Sequence, residues 1–168
     1  MDQKVAPQTT EVKSTNNNYS GQPGTKLRPF SLQNTPHSPH GRAVVPIVKT
    51  DITVGNMQIL NPGGGERQLH SHTGMDGFWM VLKGQIRFYG PDQDTIAAEC
   101  GPLEGVFVPR NVSYWFEIIG DEQAHLLQVE AVDKTVPNKF IAHGPRVEGS
   151  GPAPRVYLSG EGPESAKT

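Results

Sequence analysis

His70 and His72 stand two positions apart in the segment Gly64-Gly65-Glu66-Arg67-Gln68-Leu69-His70-Ser71-His72. Side chains alternate between the two faces of a β-strand, so on a strand both imidazoles project the same way. Two such rings can converge on one cation at about 2.0–2.1 Å. Gly84 then marks a hairpin turn that returns the chain beside the histidine strand. Farther on, Pro109-Arg110-Asn111-Val112-Ser113-Tyr114 brings a phenol, Tyr114, whose reference pKa is about 10. Asp76 lies between these two groups. His125 opens a later segment in which the odd positions are His125, Leu127, Val129 and Ala131. That odd face reads as the buried one. His125 is then either a replacement ligand or base at its rim, or a histidine hydrogen-bonded to solvent. Cys100 reads as a small buried hydrophobe rather than a nucleophile.

These residues need a rigid frame. Of twelve aromatic residues, eight fall between Phe78 and Phe116, which locates the core. Short segments rich in β-branched and aromatic residues predict strands at Val44–Lys49, Ile52–Leu60, Gln68–His72, Phe78–Lys83, Gln85–Tyr89, Thr95–Cys100, Gly105–Val108, Ser113–Ile118 and Ala124–Val132. Turn residues separate them at Asn61 to Gly65, Lys83-Gly84, Gly90-Pro91-Asp92, Gly101-Pro102, Pro109 to Asn111 and Gly120-Asp121. No stretch carries a helical period with caps, so a parallel α/β fold is disfavoured and an all-β sandwich or barrel is expected. The folded domain is expected over 41–142. Residues 1–40 read as a disordered or extended arm and 143–168 as a flexible tail, because both are polar, Pro-rich and non-periodic. Within the tail, Val156-Tyr157-Leu158 is an apolar island.

Over roughly 43–132 the sequence resembles the cupin superfamily. Gly64, His70, His72 and Gly84 match that family's first motif, Gly, five residues, His-x-His, three or four residues, Glu, six residues, Gly. The glutamate's place, with six residues between it and Gly84, falls on Gly77, and Asp76 is one position earlier. In the second motif Pro109 matches, Asn111 replaces a glycine and Tyr114 occupies the place of the third histidine. Asparagine tolerates the left-handed conformation that glycine would adopt there. The resemblance implies a double-stranded β-helix, or jelly-roll barrel, with a site inside. It also implies a divalent metal, iron first and Zn, Mn or Ni as alternatives, on His70 and His72 with a partner among Asp76, Tyr114 and His125. A degenerate site without a cation is the other form such a barrel takes. Gln68, Trp79, Val81 and Phe116 are the expected pocket residues, and an aromatic wall of this kind suits a flat or greasy organic ligand. The lack of a glutamate at Gly77 is expected to leave room for that ligand.

Two functions follow as expectations. One is a metal-dependent oxygenase, isomerase or cyclase with Tyr114 and His125 as candidate catalytic groups. The other is a non-catalytic cupin that binds or senses a small molecule. Composition narrows the partners. Lys and Arg number 15 against 17 Asp and Glu, which gives no electrostatic footprint for nucleic acid or anionic lipid. No apolar run approaches the roughly 18 residues of a membrane helix. The first residues, MDQKVAPQTT, lack the apolar stretch of a secretory signal. A single cysteine cannot form an internal disulfide, which favours a reducing compartment, and a cytoplasmic placement is expected. The resemblance also implies a homodimer paired through an exposed sheet edge, and the segment around Leu27–Leu32 is a candidate to lie across the partner.

Overall fold

The computed structural model describes residues 41–145 together with 27, 30–33 and 35. Ten strands follow in order: β1 (Arg42–Lys49), β2 (Thr53–Leu60), β3 (Gly65–His72), β4 (Met75–Lys83), β5 (Ile86–Tyr89), β6 (Ile96–Cys100), β7 (Gly105–Val108), β8 (Tyr114–Ile118), β9 (Ala124–Val132) and β10 (Phe140–Ala142). They form two antiparallel five-stranded sheets, β1-β2-β9-β4-β7 and β10-β3-β8-β5-β6. The described residues contain no helix, and none of their segments is a helix long and apolar enough to cross a membrane. All nine expected strands are present, and β3 and β4 begin earlier than their apolar residues suggested. β10 was not foreseen, because three residues in a polar stretch carry no periodic signal.

The inner faces of the two sheets meet in a core of Leu60, Trp79, Val81, Ile86, Phe88, Cys100, Val108, Tyr114, Phe116, Ile118, Ala124 and Leu126. Cys100 is buried and free, as its hydrophobic reading required. A second cluster, Ala43, Val45, Ile47, Met57 and Ile59, lies on the other face of β1 and β2, and Leu32 packs against it. Leu27, five residues earlier, is fully exposed. Apart from residues 27, 30–33 and 35 of the expected arm and 143–145 of the expected tail, the remainder of both, including Val156-Tyr157-Leu158, lies outside the described residues.

Turn chemistry fixes the register of the site-bearing strands. Gly84 has φ 75° between β4 and β5, which belong to different sheets, so the turn crosses between the sheets and is not the expected hairpin beside β3. An added Cβ at Gly84 would stand 2.8 Å from Ala124 Cα. Only glycine meets both demands at little cost. Asn111 adopts φ 66°, the left-handed conformation expected of it, and its N–H donates to the His72 carbonyl at 2.7 Å. The turn before β8 is thereby tied to the histidine strand.

The face of β9 is the reverse of the one expected. The even residues Leu126, Gln128 and Glu130 are buried, whereas His125, Leu127 and Val129 are half-buried and Ala131 is exposed. β9 runs between β2 and β4, so both its edges are paired. Apolar residues on its outer face meet neighbouring strands there, while the interior accepts polar residues because a hydrogen-bond chain satisfies them. Hydropathy parity alone inverts the two faces in such a case.

Candidate functional site

Both imidazoles project from β3 to the same side, with ring centroids 5.2 Å apart and planes at 86°. His70 pairs with Tyr114 across the β3–β8 ladder, and the two rings lie 4.6 Å apart. The His70 Nδ1 and the Gln68 carbonyl are 2.7 Å apart. A carbonyl only accepts, so Nδ1–H donates and Nε2 keeps its lone pair. Burial holds the His70 pKa at about 4, and the neighbouring His72 and Arg42 push in the same direction. Burial also lowers His72. Both rings are therefore neutral at neutral pH. The Nδ1 of His72 is buried without any hydrogen-bond partner.

His72 lines a small cleft together with Met75, Gly77, Val108, Tyr114 and Glu130. Its volume is about 10 Å³, room for about one water. Glu130 was not foreseen as a site residue. It is the direct register partner of Gly77 on the neighbouring strand. A carboxyl group thus enters the barrel from β9 beside the position on β4 that carries none. Burial raises the Glu130 pKa, opposed by the hydrogen bond it accepts from Gln128. Burial and the nearby Glu130 charge raise the Tyr114 phenol, which stays protonated. Position 130 could have been found from the sequence by asking which strand neighbours Gly77, but that requires the sheet order.

The expected pocket residues do not line an open cavity. Trp79, Val81 and Phe116 are 2%, 0% and 0% exposed. Trp79 packs at 5.1 Å from Phe116 and 5.9 Å from Tyr114, ring centre to ring centre. The room expected at Gly77 is taken as well, since a Cβ there would lie 3.0 Å from Trp79 Nε1. Glycine at 77 and tryptophan at 79 are one packing solution. Gln68 donates instead to the Gly144 carbonyl at 3.2 Å.

Two other expected residues are engaged elsewhere. Asp76 accepts from the Arg110 backbone N–H at 2.8 Å and pairs with its guanidinium, which holds the carboxyl below its ordinary range. Arg110 also pairs with Asp133. Asp76 alternates with Gly77, so it faces away from the histidine pair, and no bulge turns it back. His125 lies on the outer face of β9 opposite Ile59 and Lys83, where its Nε2 meets Gln123 Oε1 at 2.9 Å.

Another unforeseen residue covers the site. Phe140 of β10 pairs with His72 across the ladder, and its ring stacks on His70 at 4.6 Å and 15°. The ring is half exposed. The strap that carries it is held at both ends. Thr73 Oγ1 donates to the Pro137 carbonyl at 2.7 Å, and Ser71 Oγ lies 2.8 Å from His143 Nε2.

The model of the cupin domain family matches residues 56–130, which run from within β2 through most of β9 and include the histidine pair and Tyr114. Over this stretch, a little under half of the chain, the sequence is similar to the cupin domain family. The fold is similar to that of an uncharacterised conserved protein with a double-stranded β-helix domain from Klebsiella pneumoniae. That likeness has 15% identity and a TM-score of 0.59, and covers 71% of this chain and 100% of the other. A protein of Thermus thermophilus is 20% identical, with a TM-score of 0.56 over 64% of this chain and 99% of the other. A cupin superfamily protein of Desulfitobacterium hafniense is 16% identical, with a TM-score of 0.51 over 64% and 94%. At these identities the likeness is one of fold. A comparison with curated proteins gave no match.

The resemblance to cupins implies a metal, and the residues here do not fit a resident ion of that kind. Among the described residues no three His, Cys, Asp or Glu side chains are grouped so as to hold one. The indole of Trp79 fills the space next to Gly77 where a ligand carboxylate would begin. The third-histidine position carries a phenol that burial keeps protonated. Open metal sites ordinarily take three protein ligands, and two neutral imidazoles alone leave that set short.

Proposed function

We propose that the cupin barrel binds a small planar organic molecule at its mouth. The ligand's ring lies on His70 in the place of Phe140, and one polar substituent enters the void beside His72, Tyr114 and Glu130. The observation that carries this reading is the buried, unpartnered Nδ1 of His72 beside that void. A buried polar atom left unsatisfied costs about 1–3 kcal/mol, which a ligand group or water placed there recovers. A void of about 10 Å³ admits one polar group and excludes a ring. The ring belongs outside it, where the flat face of a neutral imidazole already accepts one. This is the non-catalytic function expected from the resemblance. The metal-dependent oxygenase, isomerase or cyclase requires donors that this site does not bring together.

Benzamide is a suitable probe, having a ring and one small polar group. Titrated into the protein and followed by NMR, it is expected to move the imidazole resonances of both His70 and His72. Phe140→Ala removes the competing ring, and an aromatic pair is worth about 0.5–1.5 kcal/mol, so the variant should bind benzamide about 2–10-fold more tightly. Unmoved His72 resonances, or equal affinity in the variant, contradict the reading. Protein that purifies with one equivalent of metal and loses it in His70→Ala would restore the metal-dependent function instead.

A further inference from the structure

A chain of buried side chains runs through the interior from β1 to the cleft. The Arg42 Nε donates to Gln58 Oε1 at 2.6 Å, and Gln58 Nε2 donates to Gln128 Oε1 at 2.6 Å. Gln128 Nε2 donates in turn to Glu130 Oε1. Gln58, Gln128 and Glu130 are all nearly inaccessible to solvent. Arg42 also pairs with Glu66 of β3, which fixes the guanidinium between the two sheets.

The direction of this chain is set by its first member. A guanidinium can only donate, so Gln58 must present its oxygen to Arg42 and its N–H group to the next residue. The same constraint passes to Gln128. Every donor therefore points towards Glu130, and two aligned amide dipoles carry the positive potential of Arg42 to that carboxyl group. The pull favours the anion, whereas burial favours the neutral acid. The titratable groups facing Glu130 are Tyr114 from β8 and His72 from β3. Its neighbours Val54 on β2, Gly77 on β4 and Val108 on β7 bring no charge.

We infer that Arg42 is a positioning residue that acts through Gln58 and Gln128 to hold Glu130 as the carboxylate at the inner end of the cleft, and that the site thereby selects a planar ligand whose inward group donates hydrogen bonds. The selectivity rests on the planar-ligand reading; the action of Arg42 on Glu130 does not. A ligand carrying a carboxylate inward would meet Glu130 as a like charge in a poorly hydrated space and be refused.

The test has a ligand-free arm and a ligand arm, both on the full chain. In the first, the side-chain carboxyl carbon of Glu130 is titrated by NMR. Gln58→Leu breaks the chain without touching Glu130 and is expected to raise the Glu130 midpoint by about one pH unit, the equivalent of one hydrogen bond. Arg42→Gln removes the charge at the far end and should give the same upward shift, which provides a second reading if Gln58→Leu does not fold. An unchanged midpoint in the folded variants overturns the role of Arg42. In the second arm, benzamidine and benzoate offer the same ring with opposite charges. Benzamidine should bind at least about tenfold more tightly, and Glu130→Gln should abolish the preference. Equal affinities in the unmodified protein overturn the selectivity. Absence of binding by both probes and by benzamide overturns the selectivity together with the binding reading, while the titration judges the action of Arg42 independently.

Discussion

Replacing Trp79 by alanine is expected to cost about 3–5 kcal/mol of stability, the range for removing a large aromatic side chain from a packed interior. Trp79 is 2% exposed and touches three aromatic rings, Phe88, Tyr114 and Phe116. No flexible side chain among these can collapse into the space left behind. Equilibrium urea unfolding measures the loss. The same residue explains Gly77, so the two positions should be coupled. Gly77→Glu alone places its Cβ against the indole and destabilises, whereas in the Trp79→Ala background the added side chain has room. The double variant is then less destabilised than the two single effects combined. Strict additivity would show that the glycine is there for another reason.

Acid should weaken the fold through His70. Its pKa falls from 6.5 in the unfolded chain to about 4 in the barrel, chiefly by burial. Above pH 6.5 neither state holds the proton and the difference contributes nothing. Between pH 6.5 and 4 the unfolded chain takes a proton that the folded one refuses, so stability falls as the pH falls. At about 1.4 kcal/mol per pH unit the full loss is about 3 kcal/mol, complete near pH 4. His72 is shifted the same way and adds to the trend. Urea unfolding of the unmodified protein and of His70→Asn at about pH 7.5, 5.5 and 4.5 separates the contribution. The variant should lose markedly less stability over this range. Parallel loss in both proteins would mean that His70 titrates normally.

The strands were legible because β-branched and aromatic residues alternate between strong turn signals. The histidine pair was legible because a period of two fixes its direction. Asn111 was legible for a similar local reason, as one of the few residues besides glycine that adopts positive φ readily. What escaped was set by contacts distant in sequence. Glu130 gains its place from lying beside Gly77, which depends on β9 inserting between β2 and β4. Asp76 reads as a ligand candidate until Arg110 is seen to hold it. Phe140 belongs to a strand of three exposed residues whose ladder partner, among the described residues, is the edge of β3. Trp79 and Phe116 do lie in the interior. A tryptophan turned inward, however, fills a small barrel as readily as it walls a pocket, and alternation cannot tell these apart.

The strap over the histidines is fastened before Phe140, where Thr73 holds Pro137, and again after it, where His143 meets Ser71. An arriving molecule need not detach a segment of chain to reach His70; it needs one half-exposed ring to rotate aside. Rotamer exchange of that kind takes on the order of nanoseconds, whereas loop opening extends to microseconds. Entry should therefore be ungated, with association limited by encounter and residence time governed by the contacts made after arrival.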